Sequence, residues 1–276
     1  MCRIESYGEQ GDCAEQDEIN SVRKGGSKMT LALAFIGSDG IVMATDSANA
    51  IINAGKVTSV IPVRKLYRLG DYTGLAVMSQ QAGVSEWMIR QFEPTMKEHG
   101  VDVSKLSYDK TVDWFTHYAK DYLGIYTKDV GADLLRSRVT MIAFILCGYD
   151  AQGEASVIQS ISNNVPNIFA PDFLSDKRCY LGMREETMYW IRKIEEAGID
   201  MTKLSVAVLK LLCSFLIHDT ADRYPDVVQE PMQMLTITKV DGVRMVTDRE
   251  SSILTDNVRG MSLVDRVSQM LTMGEI

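Results

Sequence analysis

Nowhere in the 276 residues do apolar side chains run on for the roughly 18 positions that a membrane-spanning helix needs, so no span is expected. The opening MCRIESYGEQGDCAEQ is polar and mixed in charge. It lacks the apolar stretch of a secretion signal, and a cytoplasmic location is expected. Basic runs are also missing. With 29 basic against 37 acidic residues the net charge is -8, which argues against nucleic acid as the main partner. The five cysteines, Cys2, Cys13, Cys147, Cys179 and Cys213, are widely spaced and form no CxxC, so neither a zinc cluster nor a disulfide framework is expected. Cys147 and Cys213 lie in apolar runs and read as buried small hydrophobes. The three histidines, His99, His117 and His218, show no metal-ligand spacing. No metal and no cofactor is expected.

What is present is a large apolar fraction, 46%, enough for a substantial core. It is unevenly distributed. Residues 1–28 are rich in Glu, Gln, Gly, Asp and Ser without a sustained period and read as disordered, so 1–29 is taken as a leader. From Met29 the character changes. TLALAFIG (30–37) and IVMATD (41–46) read as strands joined through the turn Ser38-Asp39-Gly40. KLYRL (65–69) and GLAVMS (74–79) form a second strand pair. Val84, Trp87, Met88, Phe92 and Met96 mark one helix ending at Gly100, and a second runs from about Ser107 to Leu123.

Strands return at 139–150 and 155–162, and the two prolines of Asn163–Asp176 indicate a loop. Helices are expected over 185–198 and 201–224, a last hairpin over 232–240 and 243–248, and a short amphipathic helix over Ser262–Leu271. Strands that come in antiparallel pairs and helices that come in pairs argue against a doubly wound parallel sheet. They fit an α+β fold of two stacked antiparallel sheets flanked by helix pairs, one domain over 30–250 followed by a tail over 251–276.

TLALAFIGSDGIVMATDSANA (30–50) resembles the opening of a mature proteasome β-subunit, a family of N-terminal-nucleophile (Ntn) hydrolases. There a threonine starts the first strand and an aspartate before a small residue ends the second. Here these are Thr30 and Asp46-Ser47. VRKLYRL (63–69) is similar to the strand that carries the family's lysine, which falls on Lys65. FILCGYDAQGEASVIQSIS resembles the family's central hairpin, and MQMLTITKVDGV its last strand and turn.

The resemblance covers about 30–248 and implies a four-layer αββα sandwich. The chain also departs from the pattern. Ser79-Gln80 replaces a glycine pair, and Met183 follows Gly182 where the family has serine. The supporting Asp-x-x-Ser arrangement falls on Asp226, with Gln229 in place of its serine.

The resemblance implies a threonine peptidase working through an acyl-enzyme, in intracellular protein degradation, on a peptide or protein substrate. A threonine hydroxyl needs a base to attack a carbonyl. A first-residue threonine carries one as its own α-amine, of intrinsic pKa about 8, and a nearby ammonium lowers that value. Lys65 takes this part, with Asp46 holding it. Ser79 offers its backbone N–H to the oxyanion, a contribution of roughly 3 kcal/mol for donors of this type. Val63 and Val77 line the substrate pocket, and Asp226 is the candidate supporting carboxylate.

Thr30 must therefore become the first residue. A 29-residue propeptide can be cleaved, or Met29 is the true start and is removed; the second route is favoured, because Gly25-Gly26 fits a translated ribosome-binding site. Two alternatives stay open. MTLALAFIG is also similar to the start of stand-alone archaeal proteasome homologues that act as protein ligases, where an amine resolves the acyl-enzyme. A non-catalytic scaffold subunit would use the same fold only for assembly. Self-assembly into rings is open on the same grounds.

Overall fold

The computed structural model describes residues 31–53, 56–79, 82–130, 142–162, 172–173, 178–182 and 184–258. Thr30 and the leader before it lie outside these residues, as do the expected helix over 262–271 and Met183. No helix among the described residues is long and apolar enough to cross a membrane.

Three sets of strands form, all paired antiparallel. One five-stranded sheet has the order β10 (Arg178–Gly182), β1 (Leu31–Ile36), β2 (Ile41–Thr45), β11 (Gln233–Thr238), β12 (Gly242–Met245). The other has β5 (Leu66–Leu69), β6 (Thr73–Ser79), β7 (Ile142–Tyr149), β8 (Ala155–Ser162) and β9 (Asp172–Phe173). A separate two-stranded ribbon joins β3 (Ala48–Asn53) and β4 (Lys56–Pro62). The four expected hairpins form over the described residues 31–45, 66–79, 142–162 and 233–245, while 139–141 lie outside those residues. The ribbon and β10 are additions to the expected strands, and β9 lies inside the segment read as loop.

Strand periodicity explains the core. In β1, Leu31, Leu33 and Phe35 enter one buried cluster, and Ala32, Ala34 and Ile36 enter another. The alternation of large and small residues puts bulk on one face and leaves the other able to approach a neighbour. Ala32, Ala34, Ile41 and Met43 of the first sheet share a cluster with Ala76, Ala143, Ile145 and Cys147 of the second. The contact is close: a Cβ on Gly74 would lie 2.7 Å from the Met43 sulfur and 3.0 Å from a Leu235 methyl.

On its opposite face the second sheet packs Leu75, Val77, Phe144 and Leu146 with residues of α1 (Ala82–Glu98) and α2 (Tyr108–Val130). The opposite face of the first sheet meets α3 (Arg184–Glu196) and α4 (Val206–Arg223). Each Leu or Phe buried in this way stabilises the fold by about 1.5–3 kcal/mol. Cys147 and Cys213 are both buried, as expected, and burial pushes the Cys213 thiol well above its ordinary pKa. Trp87 departs from its expected place on the apolar stripe of α1. It is 53% exposed, with its ring 5.4 Å from that of Tyr122.

Both helix pairs are joined by the same device. GVDVSKLS (100–107) links α1 to α2, and GIDMTKLS (198–205) links α3 to α4. In each, a glycine at positive φ (75° and 77°) leaves the first helix. An aspartate then caps a single 3-10 turn: Asp102 accepts from Ser104 N–H, and Asp200 from Thr202 N–H. The second helix of the later pair starts in a fixed place. Ser205 and Asp39 both accept from its first-turn amides, so the β1–β2 turn is tied to α4. The expectation of one helix from Met201 thus becomes a 3-10 turn at Met201–Lys203 and a capped helix from Val206.

An unexpected helix, α5 (Asp248–Val258), packs on α4 through Leu254 and donates from Ser251 Oγ to the Met232 carbonyl. Its start is a capping box: the Thr247 hydroxyl accepts from Glu250 N–H, and the Glu250 carboxylate accepts from Thr247 N–H. These bonds, with Arg244 alongside, pull the Glu250 pKa from its ordinary 4.5 to about 2. Thr247→Ala is expected to lower stability by about 1 kcal/mol in urea unfolding. A depressed carboxyl pKa stabilises above the ordinary value and loses that contribution as pH falls toward the folded one. The gap in urea midpoint between wild type and Glu250→Gln should therefore narrow as pH is lowered from 4.5 toward about 2.

Candidate active site

The site lies where strands stop. β2 ends at Thr45, and the next residue, Asp46, turns its carboxylate inward with no exposed surface. One carboxylate oxygen accepts from Leu31 N–H at 3.0 Å and the other from Ala48 N–H at 2.9 Å. Asp46 N–H in turn donates to the Leu31 carbonyl at 3.1 Å. Leu31 is the first residue of β1, and its amide nitrogen closes the peptide bond from Thr30. Asp46 thus grips the head of the first strand from both its backbone and its side chain.

Lys65 comes from the other sheet. It sits between β4 and β5, only 6% exposed, and its Nζ donates to both oxygens of Asp46 at 2.9 Å. Burial is the larger influence on both groups. It pushes the Asp46 carboxyl up and the Lys65 ammonium down, while each partner's charge and hydrogen bonds hold the other ionised. The Lys65 ammonium is therefore a stronger acid than a solvated lysine.

The backbone of Lys65 is fixed as well. Its carbonyl accepts from Val77 N–H at 2.8 Å, and its N–H donates to Gln233 Oε1 at 2.9 Å. Gln233 Oε1 also accepts from Leu66 N–H at 3.2 Å, and Gln233 Nε2 donates to the Val63 carbonyl at 2.6 Å. Val63 N–H donates to the Ser47 carbonyl, and Ser47 N–H to the Gln229 carbonyl.

The structure therefore brings Asp46 and Lys65 into contact beside the amide that follows Thr30. Val63 is half-buried next to the pair, contributing backbone to the Gln233 and Ser47 bonds. Val77 lies opposite Lys65, but its side chain is buried among the residues under α1 and α2. Ser79 ends β6 two residues further on, partly exposed. Asp226 is exposed in the turn after α4. Gln229 turns its side chain to the Pro225 carbonyl at 2.9 Å. Gln233 is absent from the residues that the sequence singles out; its only signal there is a polar side chain at the start of a strand.

No protein-family model matches the chain, and no curated protein matches it. Among solved structures it matches a Gly-1 mutant of Anbu from Hyphomicrobium sp. strain MC1. The TM-score is 0.55 at 12% identity, over 90% of this chain and 100% of that one. The likeness is one of fold.

A buried pair that loses one partner leaves the other charge stranded, at a cost of about 3–5 kcal/mol. Lys65→Met is expected to destabilise by that amount in urea unfolding. Adding Asp46→Asn to it should recover a large part of the loss. Additive single losses in this double-mutant cycle would contradict the contact.

Proposed function

We propose that the chain is a threonine peptidase of the N-terminal-nucleophile type, with Thr30 as its first residue and nucleophile, acting in intracellular protein degradation. The observation that carries this reading is the double grip of Asp46. One carboxylate binds the Lys65 ammonium and the amide that joins Thr30 to the first strand. An α-amine on Thr30 would be one residue from that amide. The three apolar clusters, one between the sheets and one under each helix pair, support the four-layer αββα sandwich that this class uses. The proteasome-like likeness in fold is in keeping with it.

In the proposed reaction the Thr30 hydroxyl attacks the scissile carbonyl and its proton passes to the Thr30 amine. The Lys65 ammonium keeps that amine below its usual pKa of about 8, so that it is neutral and basic near pH 7. The negative oxygen of the tetrahedral intermediate is assigned to the Ser79 N–H. The amine then gives its proton to the leaving nitrogen as the C–N bond breaks, which leaves an ester on Thr30. Water, deprotonated by the same amine, hydrolyses the ester. Val63 and Val77 are assigned to the pocket beside the scissile bond, and Asp226 to outer support.

The test joins intact mass to labelling with a fluorescent β-lactone, which acylates such a hydroxyl. The native chain is expected to begin at Thr30 and to carry one adduct there, and Thr30→Ala should abolish it. The labelling rate should rise as pH climbs through the amine pKa, with a midpoint below about 8. A native chain still starting at Met1, or an adduct that survives Thr30→Ala, would exclude this chemistry.

A further inference from the structure

Residues 63–65 belong to no strand: β4 ends at Pro62 and β5 begins at Leu66. Two main-chain bonds reach this stretch, Val63 N–H to the Ser47 carbonyl and Val77 N–H to the Lys65 carbonyl, while Lys65 Nζ must meet two carboxylate oxygens at 2.9 Å. A lysine side chain has large rotamer freedom, and a backbone only partly held by its neighbours adds more. Buried N–H and C=O groups in such a stretch also need partners. One side chain partners three such groups here. Gln233 Oε1 takes the N–H groups of Lys65 and Leu66, and its Nε2 donates to the Val63 carbonyl.

The origin of that side chain matters. Gln233 opens β11 in the first sheet and pairs in register with Thr45, the residue before Asp46. Lys65 precedes β5 of the second sheet. The carboxylate and the amide that set the lysine from its two ends thus come from adjoining strands of one sheet, while the lysine belongs to the other. We propose that Gln233 is a positioning residue of the reaction, bridging the two sheets so that the Lys65 ammonium stays on Asp46 beside the Thr30 amine. This rests on the threonine-nucleophile reading above.

Gln233→Met keeps the length of the side chain and removes all three hydrogen bonds. Gln233→Asn keeps the amide but is one methylene too short to span them. In the mature full chain, with the fluorescent β-lactone as probe, both variants are expected to label about 10- to 100-fold more slowly than wild type, the scale of small misplacements in active sites. The midpoint of their pH profiles should also rise toward about 8, because an ammonium that has moved away no longer depresses the amine.

Asp102→Ala, which removes the cap of the 3-10 turn between α1 and α2, should change neither rate nor midpoint and so separates positioning from general destabilisation. If Gln233→Met does not fold, Gln233→Asn is read alone against the same expectation. A wild-type rate, or a slower rate with an unmoved midpoint, would overturn the role of Gln233 while leaving the nucleophile in place. A wild-type chain that takes no label would overturn both.

Discussion

A single buried carboxylate accepts four hydrogen bonds, two from main-chain amides and two from an ammonium, and the candidate site is arranged around it. Burying one ion alone costs several kcal/mol, and a pair recovers that cost only when its geometry is good and its remaining valences are filled. Asp46 meets both conditions. Its two amide donors come from the start of β1 and from the entry to the β3–β4 ribbon, and the ammonium comes from the opposite sheet. Three chain segments that are distant in sequence are therefore tied to one point. Their relative placement is a consequence of satisfying that charge.

The groups around this point share a location in the fold. Leu31 begins β1, Asp46 follows β2, Lys65 precedes β5 and Gln233 begins β11. Inside a sheet, backbone donors and acceptors are consumed by the ladder. At strand ends they are open, and side chains or substrates can use them. The first and second sheets stack closely through small residues such as Ala32, Ala34 and Ala76, so strand ends from both reach a common region without a long loop.

The sequence made much of this legible, for a physical reason. Strands buried on both faces, such as β1 and β7, appear as apolar runs, and the helices that cover them show a three- and four-residue period. The spacing of Thr30, Asp46 and Lys65 points to the pair that the structure joins. Other elements give weaker signals. The ribbon at 48–62 mixes Asn, Lys, Thr and Ser with its apolar residues and has no clean alternation. Helix α5 offers only Ile253, Leu254 and Val258 as apolar side chains, too few to mark a stripe. Its capping box, Thr247-x-x-Glu250, is nonetheless readable from residue types alone. Gln233 is not readable in this way, because its importance comes from a contact 168 residues away in the chain.

The repeated linkers show how far the two halves are alike and where they part. GVDVSKLS and GIDMTKLS turn one helix into the next by the same glycine, aspartate cap and 3-10 turn, once for each helix pair. That device is structural, and it is duplicated. The charge pair is not: among the described residues, Lys65 and Asp46 form the one buried lysine–carboxylate contact that spans the two sheets. It occurs where the β3–β4 ribbon separates β2 from β5 in the chain, so that the segment 63–65 lies between strands. A lysine in a regular strand would have its backbone held by neighbours of its own sheet. Lys65 instead depends on Gln233 from the other sheet for its N–H and on Val77 of its own for its carbonyl. The break in symmetry is thus what allows both sheets to act on a single ammonium.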